Sequence, residues 1–172
     1  KAGEPLLVGP CPPDARTGAA ASLVGGKAST LFRLRDLGLR VPPFLVLTTA
    51  LFRRLDAEPW LLSRLLPAIE AAIGSWGGGL VAVRSSMSVE DGRADSFAGV
   101  FDSFLGVPPA ELEASVRACA ASGRGPRAAA YLRERGLAAT VVQPAVIVQR
   151  LVRARSAGVT FSRAPLGNSA LL

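Results

Sequence analysis

The sequence predicts an α+β fold, and three observations carry that expectation. Short apolar runs at residues 44–47, 80–84 and 145–152 have the length and the valine, leucine and phenylalanine content of buried strands. Longer stretches between them, around Leu31 and Leu34 and over residues 60–73, repeat apolar side chains at helical spacing. The 18 glycines and 13 prolines divide the chain into many short elements joined by turns. At 172 residues the chain fits one domain, or two small lobes sharing a cleft, and is long enough to bury a core.

In order along the chain, residues 1–21 read as an irregular lead-in. Gly25 and Gly26 precede a helix carrying Leu31, Leu34 and Arg35, which Gly38 stops. Val41-Pro42-Pro43 forces an extended approach to the strand at 44–47, because proline pushes the residue before it out of the helical region. Thr48 is placed to cap a second helix running to Leu55. Residues 60–73 form a third, in which Pro67 starts a second part or makes a kink. The strand at 80–84 follows, and then a long loop. Pro108, Pro109, Ala110 and Glu111 open a helix with a carboxylate in its first turn, which ends near Gly123. Another runs over 127–135 and stops at Gly136. Strands at 145–152 and 157–162, joined by residues 153–156, close the chain as a hairpin.

Hydrophobic residues make up 49% and charged residues 19%, the balance of a globular chain rather than a disordered one. The formal net charge of +7 raises the question of nucleic acid, since clustered cations release counterions from phosphates. Distribution argues against it. Lys1 and Lys27 are the only lysines, and Arg33, Arg53, Arg93, Arg117, Arg133 and Arg153 are scattered along the chain, as on a solvated basic surface. Cys11 and Cys119 are too few and too far apart for a disulfide framework or a metal site, so reduced thiols and a cytoplasmic location are expected. The longest uncharged apolar stretch, 137–149, is broken by Gln143 and Pro144, and neither a signal peptide nor a membrane span is expected. Lacking histidine, the chain carries no phosphohistidine, histidine base or histidine metal ligand.

Chemistry concentrates in residues 80–107. Arg84, Ser85 and Ser86 emerge at a strand end as one guanidinium and two hydroxyls, a suitable place for an anionic ligand. Beyond them, residues 92–99 hold one aromatic, Phe97, between Gly92 and Gly99, and the small Ser96 and Ala98 leave backbone amides able to close over that ligand. The plain alternatives are an ion pair of Arg84 with Glu90 or Asp91, and an ordinary surface loop. Lys27 follows two glycines at a helix start, where free amides and the helix dipole favour an anion. The motif is not a P-loop, because Ala21 stands at its first glycine position and Ala28 follows the lysine.

Three ordered segments carry a family resemblance. VAVRSS with SVEDGRADSFAG and FLGV, Gly25-Gly26-Lys27-Ala28-Ser29 with LGLRVPPFLVLTT, and IVQRLVRARSAGVTFSRAPLG together resemble the nucleotide-binding domain of the phosphoenolpyruvate synthase and pyruvate phosphate dikinase family. Rifampicin phosphotransferases and glucan water dikinases are related to it. The resemblance implies the amino-terminal part of an ATP-grasp-like domain, with a mixed sheet and flanking helices. Residues 22–140 would be a first lobe with the phosphate-binding loop, and 141–172 the start of a second lobe with hinge and hairpin. It implies that Lys27 and Arg84 clamp the phosphates of ATP and that Gly99 lies in the loop over them. Gln149 and Leu151, on the hinge strand, would read adenine through a side-chain amide and main-chain hydrogen bonds. From the residues alone, the alternation of Val146, Val148 and Arg150 is that of any half-buried strand. Where synthase-like members tend towards LPDASFAGQQDTF, Val100 and Phe101 replace polar residues.

The full reaction that the resemblance implies is ATP-dependent phosphorylation, passing a phosphoryl group through a histidine to pyruvate or another acceptor. The ligands of Mg²⁺, the phosphohistidine domain and the acceptor-binding domain are expected outside these residues, in the same longer chain or in a partner chain. Glu90, Asp91 and Asp95 are not assigned to metal. Two other readings stay open: a stand-alone nucleotide-binding module without turnover and, ranked last, a basic nucleic-acid-binding domain. The acceptor, whether pyruvate, an antibiotic or a glucan, is not written in these motifs.

Overall fold

A computed structural model describes residues 4–9, 19–87, 100–134 and 142–158. These hold five strands, β1 (Leu7–Val8), β2 (Phe44–Leu47), β3 (Val81–Ser85), β4 (Ser103–Val107) and β5 (Val146–Arg150), in one sheet of order β1-β2-β5-β3-β4. Six helices accompany them: α1 (Ala19–Val24), α2 (Gly26–Asp36), α3 (Thr49–Arg54), α4 (Trp60–Ser75), α5 (Leu112–Ala121) and α6 (Pro126–Glu134). The α+β expectation holds, but the mixed sheet does not. Every neighbouring pair among the described strands is antiparallel, and β5, the last of them in the chain, inserts between β2 and β3. β2 and β3 therefore run parallel to each other without being hydrogen-bonded.

Register assigns alternate residues to two faces of the sheet. Leu45, Leu47, Val81, Val83, Val146 and Val148 share the first face, where Leu51 of α3, Leu62 and Ile69 of α4 and Val116 of α5 complete the larger core. Burying each such side chain stabilises the fold by about 1.5–3 kcal/mol. α4 runs through Pro67 as one helix of 16 residues. On the second face, Phe44, Val46 and Ile147 lie under Val24, Ala28 and Phe32 of α1 and α2. That cover stops partway across. Ala82, Arg84, Ser103, Leu105 and Gln149 occupy the remainder of the face, and Leu105 is 72% exposed. A third cluster, including Met87, Phe101, Ala128 and Leu132, gathers beyond the end of β3.

Four local expectations change. Residues 1–21 read as irregular, yet Leu7 and Val8 pair with Leu47 and Val46 at the sheet edge, and α1 begins at Ala19. The Thr48 hydroxyl does not cap α3; it donates to the Pro5 carbonyl at 2.7 Å and so ties down the segment leading into β1. β4 lies inside the stretch read as loop. Its alternation is broken by Gly106, the extra residue of a bulge opposite Val81 and Ala82, whose φ of 72° favours glycine. Of the second hairpin strand, Ala157 and Gly158 are irregular, and the rest lies outside the described residues.

Candidate functional site

β3 leaves the sheet at Ser85, and the two residues after it are held from several directions. The Ser86 N–H donates to the Ala145 carbonyl at 2.9 Å. Its hydroxyl donates to the Val24 carbonyl at 2.8 Å and accepts the Ala28 N–H at 2.9 Å. The Gly26 N–H donates to the Met87 carbonyl at 3.2 Å. This approach requires a glycine at position 25, where φ is 78° and a β-carbon would lie 1.8 Å from the Ser86 carbonyl oxygen. Met87, wholly buried, anchors the segment in the third cluster. The Gly25-Gly26-Lys27 turn is thus docked on the strand end, and Lys27 Nζ donates to Ser85 Oγ at 3.2 Å.

Two expectations about this corner are corrected. The start of α2 does not offer free amides at Gly26, Ala28 and Ser29, because Met87, Ser86 and Gly25 accept their hydrogens. Nor is Ser86 an exposed hydroxyl awaiting an anion. It is fully buried and joins α1 to α2, with both its donor and acceptor capacity in use, as a buried hydroxyl requires.

One residue earlier, Arg84 points to the opposite face from Ser85. Arg84 Nη1 donates to Gln149 Oε1 at 3.4 Å, and Gln149 Nε2 donates to the Pro42 carbonyl at 3.2 Å. The Arg150 N–H donates to the Pro43 carbonyl at 2.9 Å and the Leu151 N–H to the Leu80 carbonyl at 3.2 Å. The side-chain amide at 149 and the main-chain donor at 151 are therefore engaged within the sheet.

Arg84, Gln149 and Leu151 line one open depression of about 440 Å³, together with Pro42, Ala82, Ser103 and Leu105. Lys27 meets the same strand one residue beyond Arg84. Gly99 and the whole 88–99 loop lie outside the described residues. A larger depression of about 740 Å³, with Arg40, Gly78, Gly79, Leu80 and Arg153 on its walls, opens at the other end of β3; it shares Pro42 and Leu151 with the smaller one and includes neither Lys27 nor Arg84. The smaller one is the better candidate because it joins a half-buried guanidinium to apolar neighbours. Sequence reasoning missed Ser103 and Leu105 of β4 and the Pro42 carbonyl; the alternation in Ser103-Phe104-Leu105 was a usable signal for the first two. Among the described residues, no three His, Cys, Asp or Glu side chains form a metal site. No described helix is long and apolar enough to cross a membrane.

A guanidinium on an open sheet face, apolar residues around it and an ammonium at the strand end are groups chemically able to hold an anion beside an apolar group. The chain belongs to the family described as the pyruvate phosphate dikinase AMP/ATP-binding domain, which matches residues 59–170. That span contains Arg84, Gly99, Gln149 and Leu151, and Lys27 precedes it. The chain is similar to the prodigiosin synthesizing transferase PigC of Serratia marcescens, 34% identical over 86% of this chain and 19% of that protein. It is 30% identical to a rifampicin phosphotransferase of Streptomyces sviceus over 86% of this chain and 21% of that protein. With a probable phosphoenolpyruvate synthase of Methanocaldococcus jannaschii it shares 29% identity over 86% of this chain and 16% of the other. The chain spans roughly a fifth of the length of these relatives.

Proposed function

We propose that the open part of the second sheet face binds ATP in an ATP-grasp-like domain of a phosphoenolpyruvate-synthase-like phosphotransferase. That enzyme would phosphorylate pyruvate or another acceptor through a phosphohistidine carried elsewhere. One observation supports this above the others: Arg84 on β3 and the segment Gln149–Leu151, which follows 65 residues later, line one depression in a domain of a nucleotide-binding family. From Leu80, bonded to Leu151, to Ser85, bonded to Lys27, is about 17 Å of strand at about 3.4 Å per residue. That length suits a nucleotide lying along β3 with its base near Ala82, Leu105 and Leu151 and its phosphates towards Arg84 and Lys27.

The roles follow from the side chains. Arg84 offers a planar fork to phosphate oxygens, and Lys27 a compact point charge beyond it. Both offset charge on the phosphoryl oxygens and orient the chain of phosphates, which is most of what a protein contributes to phosphoryl transfer. Mg²⁺ would accompany ATP and supply further positive charge against its phosphates. The described residues form no cluster for it, so its ligands are proposed to lie elsewhere and no step here runs through it. In this reading residues 22–140 are the first lobe and 141–172 begin the second. Relatives named for rifampicin phosphotransfer, prodigiosin synthesis and phosphoenolpyruvate synthesis leave the acceptor open.

Calorimetric titration with ATP tests the reading. Arg84→Ala is expected to weaken binding by on the order of tenfold to a hundredfold. Arg84→Lys, which keeps the charge and loses the fork, is expected to weaken it too. Equal affinity for all three chains, or no ATP binding by the wild type, overturns the assignment.

A further inference from the structure

We infer that Met87 is a positioning residue for Lys27, acting from the third cluster outside the open depression, an inference that rests on the ATP-binding reading above. α2 carries no capping side chain of its own at Gly25. The first amides of a helix lack partners within it, and here the end of β3 supplies them. The Met87 carbonyl accepts the Gly26 N–H at 3.2 Å and the Ser86 hydroxyl accepts the Ala28 N–H at 2.9 Å, so the two bonds flank Lys27 in the chain. Where these acceptors stand decides how Lys27 Nζ meets Ser85 Oγ.

Ser86 is fixed by hydrogen bonds to Val24 and Ala145. Met87 is held by its side chain, wholly buried in a cluster with Phe101, Ala128, Leu132 and Val142. Gly123, in the turn between α5 and α6, makes room for it. A β-carbon at position 123 would lie 3.0 Å from Met87 Cε and 3.2 Å from Sδ, tighter than ordinary packing allows. The φ of Gly123 lies outside the left-handed region, so space rather than backbone freedom calls for glycine. An unbranched, flexible thioether suits so narrow a seat.

The device acts on one end of the site. Arg84 is set by the pairing of β3 with β4 and β5 and does not depend on the seat. Lys27 does, because the first turn of α2 that carries it is tied to the Met87 carbonyl.

The test titrates the wild type, Met87→Leu, Met87→Ala, Lys27→Ala and the Met87→Ala/Lys27→Ala pair with ATP and with adenosine, and reads hydrogen exchange of the Gly26 amide. Met87→Ala empties the seat and is expected to weaken ATP by on the order of threefold to tenfold and to speed that exchange. Met87→Leu, which nearly conserves volume, should keep ATP affinity within about twofold of the wild type. Adenosine affinity should stay unchanged, and Met87→Ala should cost nothing further once Lys27 is alanine. Ile69→Ala, at a buried side chain of the larger core, should lower stability without moving ATP affinity. Gly123→Ala presses on the same thioether and serves should Met87→Ala not fold, with a loss of about twofold or more expected. Unchanged ATP affinity in whichever of these two variants folds, an equal loss of adenosine, an equal loss in Ile69→Ala, or an effect persisting without Lys27 would overturn the role and leave ATP binding standing. A wild type that binds neither ATP nor adenosine removes the ATP reading itself and this role with it.

Discussion

Two halves of one sheet face show what a cover of helices does to a strand's side chains. Under α1 and α2 the face carries Phe44, Val46 and Ile147, and the serine at its margin, Ser86, is consumed by internal bonds. A strand away, where no described helix lies, the same face carries Arg84, Ser103, Leu105 and Gln149. The covered half stores stability, and the open half stores charge and exposed apolar surface. β3 belongs to both: its end is locked at Ser85, Ser86 and Met87, and its middle is open at Ala82 and Arg84.

The largest effect should come from breaking the covered half. Phe32→Ala, at a side chain 3% exposed, is expected to lose about 3–5 kcal/mol in urea denaturation, whereas Leu105→Ser on the open half should stay within about 0.5 kcal/mol. Equal losses would erase the distinction. Next is the seam between the halves. Gly25→Ala combines a left-handed backbone with a β-carbon driven into the Ser86 carbonyl, and should lose about 2–4 kcal/mol. Ser86→Ala leaves the Val24 carbonyl and the Ala28 amide without their partner, and about 1–3 kcal/mol is expected from the same melts.

The smallest effect lies in the exposed pair at the end of α3. Hydrogen bonds from Arg54 hold the Glu58 carboxyl below the usual carboxylate range, and the paired charge adds to this. A lowered folded-state pKa contributes stability above the unfolded value of about 4.3, and that contribution is lost as pH falls through the lower folded value. The wild type should therefore melt slightly above Glu58→Gln at neutral pH, with the gap closing in acid and shrinking in salt, because the pair is exposed. A gap that widens in acid would reverse the sign of the argument.

Much of the fold was legible because local signals agreed with tertiary needs. The strand at Phe44–Leu47 is a pure apolar run behind two prolines, and Gly38 stops α2 in a left-handed turn with φ of 80°. β4 shows only three alternating residues, Ser103 to Leu105, before Gly106 interrupts the pattern, a signal weaker than those of β2 and β3, and the insertion of β5 between β2 and β3 is a choice no local pattern records. At the site, Arg84 is placed by the strand that carries it, and the motif around it names its family. What Ser86 and Gln149 do depends on partners 62 and 107 residues away in the chain, the Val24 and Pro42 carbonyls, which spacing cannot reveal.

The central claim is that nucleotide lies on the open half of the second face. Backbone NMR of the isotopically labelled chain during titration with ATP tests it most directly. The account predicts shifts concentrated at Ala82, Arg84, Ser103, Leu105, Gln149 and Leu151 and extending to Ser85 and Lys27, with α4 and α5 unmoved. Shifts confined to the larger depression around Arg40, Gly78 and Arg153, or spread over the basic surface, would contradict it.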